Sequence, residues 1–273
     1  MFAFTFGMDP VITIGPFSVR WYGVFITLSI IVLLVWGLLQ VRRTSGITNN
    51  MILTTALVGI PSGIIVSRLM HVVDLWDYYG QHLNEIIGGS GLTAWGAILG
   101  ATLGAWIYTR FSKIPFGRIT DAFAPGIILA QAVGRVGCTI NGCCYGTETS
   151  LPWAIVYTHP DSFGPLGIPV HPTTIYEIVV NLIIFGILLS LRGRLKPAGS
   201  LFLVYFSLYS LWRLGGDFMR DGTPFLFGLH EAQVISIIVL LITIPILAYR
   251  TRWVKRVNGE STSLESASTK SVS

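Results

Sequence analysis

Seven mainly apolar runs recur along this chain, at about 21–40, 51–70, 91–110, 119–136, 174–191, 199–214 and 232–249. Each is close to the roughly 20 residues that a helix needs to cross the hydrocarbon core of a bilayer. The fourth and sixth are the shortest or the richest in glycine. The pattern predicts an all-α integral membrane protein with seven transmembrane helices. Charge content agrees: 11% of the residues are charged, 52% are hydrophobic and the mean hydropathy is +0.68, whereas a soluble globule carries about 25% charged residues. The formal net charge of +5 does not point to nucleic acid, because the basic residues flank apolar segments instead of forming a patch on a soluble domain.

Orientation follows from the basic clusters, since loops rich in Lys and Arg stay in the cytoplasm. Arg42 and Arg43 follow the first run; Arg110, Lys113 and Arg118 follow the third; Arg192, Arg194 and Lys196 follow the fifth; Arg250, Arg252, Lys255 and Arg256 follow the seventh. The segments 71–90 and 137–173 contain neither residue type. The N-terminus is therefore expected outside and the C-terminus in the cytoplasm. The first sixteen residues hold Asp9 and no Lys or Arg, unlike the basic start of a cleavable signal peptide, so the first span is expected to stay. Residues 1–256 read as one seven-span domain and 257–273, rich in Ser and Thr, as a disordered cytoplasmic tail.

Five basic residues break the pattern. Arg20, Arg68, Arg135, Arg213 and Arg220 lie near the opposite ends of the runs, whereas Lys113, Lys196, Lys255 and Lys270, all the lysines of the chain, fall on the inner side. Charge near a membrane is costly unless something uses it, and guanidinium grips phosphate with a two-pronged fork that ammonium lacks. The set points to a phosphate-bearing molecule gathered at the outer face.

Three motifs carry this reading. Arg135 stands in GRVGCTINGCCYG (134–146), where Gly142 and Gly146 flank Asn141 and Tyr145 in a glycine-rich loop after an apolar helix; the alternative is an Arg that snorkels to the interface. Tyr209, Arg213 and Asp217, in YSLWRLGGDFMRDG (209–222), are four apart and share a helix face; the alternative is a neutralising Arg–Asp pair, and both can hold. HPTTIYE (171–177) opens the fifth run with His171, Tyr176 and Glu177. Glu177 is expected to face a polar interior, the alternative being a capped helix start with an interfacial Tyr.

Cys138, Cys143 and Cys144 are the chain's cysteines, spaced C-x4-C-C. Zinc would need a fourth ligand, with His159 and His171 the nearby candidates, so a disulfide or small polarizable packing is the favoured reading and no metal is expected. GGSG (88–91) is similar to the nucleophile motif of rhomboid-type proteases, but no histidine falls inside a run to act as base for Ser90, and a loop is expected.

With these residues in view, the chain resembles the prolipoprotein diacylglyceryl transferase family. The likeness runs through PVITIGPFSVRWYG (10–23), SRL (67–69), GLTAWGAILG (91–100), DAFAPGIILAQAVGRVGCTINGCCYG (121–146), HPTTIYE, YSLWRLGGDFMRDG and HEAQVIS (230–236). The resemblance implies a multi-pass enzyme of the bacterial cytoplasmic membrane, with its N-terminus outside and working as a monomer. Its implied reaction moves the diacylglyceryl group of phosphatidylglycerol to the thiol of a cysteine in a lipoprotein precursor's signal peptide, releasing glycerol phosphate, with no cofactor. It implies catalytic roles for Arg135, Arg213, Asp217, Tyr22 and Tyr209. It further implies substrate contacts from Arg135, Asn141, Gly142, Tyr145, Gly146, Arg68, Arg20, His171, Tyr176, Glu177, Arg220 and Gln233. Asp217 stands where the family usually has Glu. Trp95 stands where the family has a His proposed as the thiol's base, and Cys138 and Cys143 stand where it usually has Asn and Glu. A phospholipid-binding or translocating protein without catalysis would use the same arginines.

Overall fold

The runs are helical although several cluster β-branched residues, as in SIIV of the first and ISIIV of the last, because a segment in lipid must satisfy every backbone N–H and C=O within itself. The computed structural model describes residues 3–41, 46–87, 93–112, 115–220, 222 and 225–254. The expected tail 257–273, the basic residues Arg42, Arg43, Lys113, Lys255, Arg256 and Lys270, and the GGSG stretch with Ser90 lie outside these residues. The long helices are α1 (Trp21–Val41), α2 (Asn49–Asp74), then, after the single-turn α3 (Trp76–Tyr79), α4 (Ala94–Phe111), α5 (Phe116–Asn141), α6 (Thr173–Leu191), α7 (Ser200–Gly216) and α8 (Glu231–Arg250). Each expected run coincides with one of them. Five, α1, α2, α5, α6 and α8, are long and apolar enough to cross a membrane. The fourth run, expected to be among the shortest, is the 26-residue α5. It continues past residue 136 because its last turns bury Cys138, Thr139 and Asn141, polar groups that lower hydropathy yet face protein.

The all-α expectation needs correcting outside these helices. Strands β1 (Phe4–Phe6), β4 (Ile155–Tyr157) and β5 (Pro169–Val170) form a three-stranded sheet, β2 (Val11–Ile14) and β3 (Phe17–Arg20) form a hairpin, and β6 (Leu195–Lys196) pairs with β7 (Arg252–Trp253). The first five strands are largely β-branched and aromatic, residues that suit a pleat, but each is too short to register against 20-residue apolar runs. The hairpin turns at Gly15-Pro16, where Gly15 takes φ 60°, the conformation a tight two-residue connection asks of glycine.

The helices pair closely. α2 packs on α4, α1 and α6 pack on α5, and α7 packs on α8 and more lightly on α5 and α6. One apolar cluster, including Trp95, Ile128, Leu188, Phe202, Tyr205 and Tyr209, joins α4, α5, α6 and α7, while outer faces display Leu57, Ile65, Leu241 and Ile242, as a lipid-facing surface would. Asp121 of α5 accepts the N–H groups of Gly199 (2.7 Å) and Phe202 (2.9 Å), so a carboxylate from a neighbouring helix caps the N-terminus of α7. The basic stretches after α6 and α8 meet through β6 and β7, and Ala198 lies against Gly117 at the start of α5. Three of the four expected inner clusters thus share one end of the bundle.

Small residues set the α2–α4 approach. A Cβ on Gly100 would lie 2.5 Å from the carbonyl oxygen of Ser62 and 2.6 Å from Val66 Cβ, and such glycines let membrane helices close on one another. Gly100→Val is expected to force these helices apart and to destabilise the protein by about 1–3 kcal/mol, read as a lowered unfolding midpoint in detergent; an unchanged midpoint would show that this contact carries no stability.

Candidate active site

The site forms where the C-terminal ends of α5 and α7 meet the start of α6. α6 begins at Thr173, directly after Pro172, a residue whose missing N–H costs nothing at a helix start. This places Glu177 one turn in, 3% exposed and aimed at its neighbours. Arg135 of α5 meets Glu177 through Nε at 2.9 Å from Oε1. Arg213 of α7 places Nη1 3.8 Å from Oε2, and the buried Tyr209 donates its hydroxyl to Oε1 at 3.3 Å. The same Arg213 Nη1 is 2.9 Å from Asp217 Oδ1, and Arg220 Nη1 is 3.7 Å from that oxygen.

Three guanidiniums against two carboxylates leave the cluster with one formal positive charge. Buried ions are tolerated when paired, and the surplus suits a singly charged anion such as a phosphodiester. Arg213 Nε is buried and finds no hydrogen-bond acceptor among the described residues, an unusual condition for such a donor and one that a ligand oxygen would relieve. The expected alternatives for these residues resolve accordingly. Arg135 does not snorkel; it is paired inside the bundle. The Arg213–Asp217 pair forms, and Arg213 reaches Glu177 as well.

The segment after α5 folds over this cluster. Gly142 caps α5 at φ 71°, and a Cβ there would collide with Ser162. Asn141 is buried and accepts a 2.9 Å hydrogen bond from Arg20 Nη1, which also donates to the carbonyl of Asp161 and lies over the ring of Phe163. Gly146 donates to the carbonyl of His171 at 3.0 Å and pairs with Arg220, tying the loop to α6 and to the segment after α7. Trp153 donates to the Tyr176 hydroxyl at 2.7 Å, with His171 Nδ1 3.5 Å from the same oxygen. Tyr145 packs instead against Ile155, Tyr157 and Val170.

Not every expected residue joins the cluster. Arg68 donates to the carbonyls of Glu85 and Ile86 and lies over Tyr79, so it holds the segment after α2. Gln233 accepts the His230 N–H and donates to the Leu214 carbonyl, stitching α8 to the end of α7. Tyr22, in the first turn of α1, runs beside Gly137, whose added Cβ would be 3.3 Å from Tyr22 Cα. Trp95 packs against Tyr209 with ring centroids 5.5 Å apart, its indole N–H buried without an acceptor among the described residues. Sequence reasoning missed Asn181 and Ser210, fully buried and likewise without partners there. The signal was present, since Asn181 is one helical turn after Glu177 inside an apolar run.

The cysteines are free thiols, with Sγ atoms all within 4.8 Å of one another. Of the two readings left open, disulfide and small polarizable packing, the disulfide is not formed, and the three sulfurs converge. Cys144 is exposed, with φ 61°. Hydrogen bonds from Cys138 and Cys143 hold its thiol well below the usual range, and Arg220 and Arg135 act in the same direction.

Helices apolar enough to cross a bilayer, with an arginine–carboxylate cluster at one end, are the build of an integral membrane protein. A sequence model of the prolipoprotein diacylglyceryl transferases matches residues 10–249. Phosphatidylglycerol–prolipoprotein diacylglyceryl transferase of Dehalococcoides mccartyi strain 195 is 44% identical over 250 residues, 91% of this chain and 96% of that protein. The proteins of the same name from Acaryochloris marina and Clostridioides difficile are 37% and 35% identical, covering 86% and 83% of this chain and 88% of each relative. The chain belongs to the prolipoprotein diacylglyceryl transferase family.

Because Glu177 is the shared counter-charge of two buried arginines, Glu177→Ala is expected to cost about 3–5 kcal/mol of stability, measured by thermal unfolding in detergent. A loss below about 1 kcal/mol would mean that solvent already neutralises the pair.

Proposed function

We propose that this chain transfers the diacylglyceryl group of phosphatidylglycerol to the thiol of a cysteine in a lipoprotein precursor's signal peptide, releasing glycerol phosphate. The observation that carries the reading is the Arg135–Glu177–Arg213 cluster with its one surplus positive charge, in a chain whose relatives share the name of that activity. Arg135 and Arg213 hold the lipid's phosphate. As the bond between the glycerol carbon and the phosphate oxygen breaks, negative charge grows on that oxygen, and preplaced guanidiniums in a water-poor site favour this most. Glu177 and Asp217 orient the two arginines, Tyr209 fixes Glu177, and Arg220 extends the cradle toward the loop at Gly146.

In this reading all seven long helices span the bacterial cytoplasmic membrane. The N-terminus and the loop 142–172 lie outside and the C-terminus inside, supported by the basic ends gathered around β6 and β7. Asn141, Gly142, Tyr145 and Gly146 shape the loop that covers the lipid headgroup, with Arg20 anchoring it. His171 and Tyr176 line its edge, Tyr22 closes it from α1, and Arg68 and Gln233 act through the segments they hold. The enzyme works as a monomer within the bilayer.

Purified protein in detergent, given phosphatidylglycerol and a signal-peptide fragment containing the cysteine, is expected to yield a diacylglyceryl adduct by mass spectrometry. Arg135→Lys keeps the charge but loses the fork, and its rate is expected to fall at least about a hundredfold, as when one preplaced donor is lost. Normal labelling by this variant would rule out the phosphate clamp.

A further inference from the structure

We infer that Cys138, Cys143 and Cys144 form a three-thiolate site for a thiophilic divalent ion of the zinc class, and that its fourth position takes the thiol of the precursor cysteine. This rests on the transferase reading above.

Geometry supplies the first argument. The three Sγ atoms lie within 4.8 Å of one another. Zinc–sulfur bonds of about 2.3 Å in a tetrahedron put sulfurs about 3.8 Å apart, so closure needs movements of about 1 Å or less. The backbone is already bent to bring the thiols together. Gly142 reverses the chain, Cys143 donates its N–H to the Cys138 carbonyl at 3.1 Å, and Thr173 holds the Cys144 carbonyl at 2.7 Å. Cys144 occupies φ 61°, a region residues other than glycine seldom enter unless their surroundings enforce it.

Electrostatics supply the second. Three thiolates and one divalent ion carry a net negative charge. Arg135 Nη1 lies 3.9 Å from Cys138 Sγ, a cation beside the thiolate set.

The third argument is chemical. The nucleophile of the proposed reaction is a thiolate, and both carboxylates of the arginine cluster are ion-paired, Asp217 with Arg213 and Arg220. Glu177 is engaged by two arginines, and Tyr209 donates to it. Trp95, which packs on Tyr209, carries an indole that is a donor only. A thiol that binds a divalent ion is deprotonated outright, and three protein ligands with one open position are the pattern of a catalytic zinc site. His159 and His171 face Asp9 and Tyr176 respectively. In the step, the precursor's S–H proton leaves to solvent and the sulfur bonds to the glycerol carbon. The carbon–oxygen bond to phosphate breaks, and its electron pair departs with glycerol phosphate beside Arg135 and Arg213. No oxidant or reductant is needed.

The test uses full-length protein in detergent, reduced and free of oxygen, titrated with cobalt(II). One cobalt per chain is expected, with sulfur-to-metal charge-transfer absorption and the intense visible bands of a tetrahedral site. Cys144→Ser and Cys143→Ser should each weaken binding at least tenfold, with unfolding midpoints in the absence of metal establishing that each variant is folded. A cysteine-containing signal-peptide fragment should shift the bands, and its serine counterpart should leave them alone. Absent charge-transfer bands, affinity indifferent to both substitutions, or a spectrum blind to the peptide thiol would each overturn the inference. Metal-stripped enzyme that forms adduct at the full rate would do so too, leaving the transferase reading intact. Absence of adduct from both metal-loaded and metal-stripped protein would instead sink the transferase reading itself.

Discussion

The contact between Arg135 and Glu177, 2.9 Å long with the two side chains 11% and 4% exposed, is the interaction on which this end of the helix bundle depends. Neither ion is affordable there alone. A buried carboxylate without a partner, or a buried guanidinium without one, costs several kcal/mol, and the two sit on different helices, so pairing them fixes α5 against α6. Glu177 then recruits Arg213, and with it Asp217 and Arg220, from the end of α7. One ion pair thus aligns three helix ends and leaves the arginines with more positive charge than the protein itself neutralises. That remainder is the physical opening for a phosphate-bearing ligand.

The chain around the cluster is arranged to keep it dry and still. The segment from Gly142 to Pro172 is pinned at Asn141 by Arg20, at Gly146 by Arg220 and at Cys144 by Thr173, and the first strand of the chain joins it by pairing with β4. Water excluded from such a site strengthens every charge interaction inside it. The opposite end holds none of these devices among the described residues; there Asp121 caps α7 and the short β6–β7 ladder ties two basic stretches together. The chemistry and the anchoring charges therefore lie at opposite ends of the same helices.

Much of this was legible in the residues. The helices could be read because apolar runs near 20 residues leave few alternatives in lipid, and Arg135, Arg213 and Glu177 because charged residues near apolar spans demand an explanation. The strands β1, β4 and β5 escaped, being two or three residues each, with β1 held only by a partner distant in sequence, Phe4 lying opposite Ile155. Arg68 and Gln233 carried the same motif signals as the cluster residues, yet they bind backbone carbonyls elsewhere, which no local pattern reveals. The convergence of the three cysteines was hidden as well, because the spacing C-x4-C-C brings sulfurs together only once Gly142 has reversed the chain after α5.

The central claim is that the surplus charge of the arginine cluster holds the lipid's phosphate. Its most direct test is retention of lipid by the purified protein, measured by native mass spectrometry with phosphatidylglycerol and with diacylglycerol, which shares the acyl chains and lacks the phosphate. The account predicts that phosphatidylglycerol is retained at least tenfold more strongly and that this preference disappears in Arg213→Gln, which removes the surplus positive charge. Equal retention of the two lipids, or a preference that survives in the variant, would contradict it.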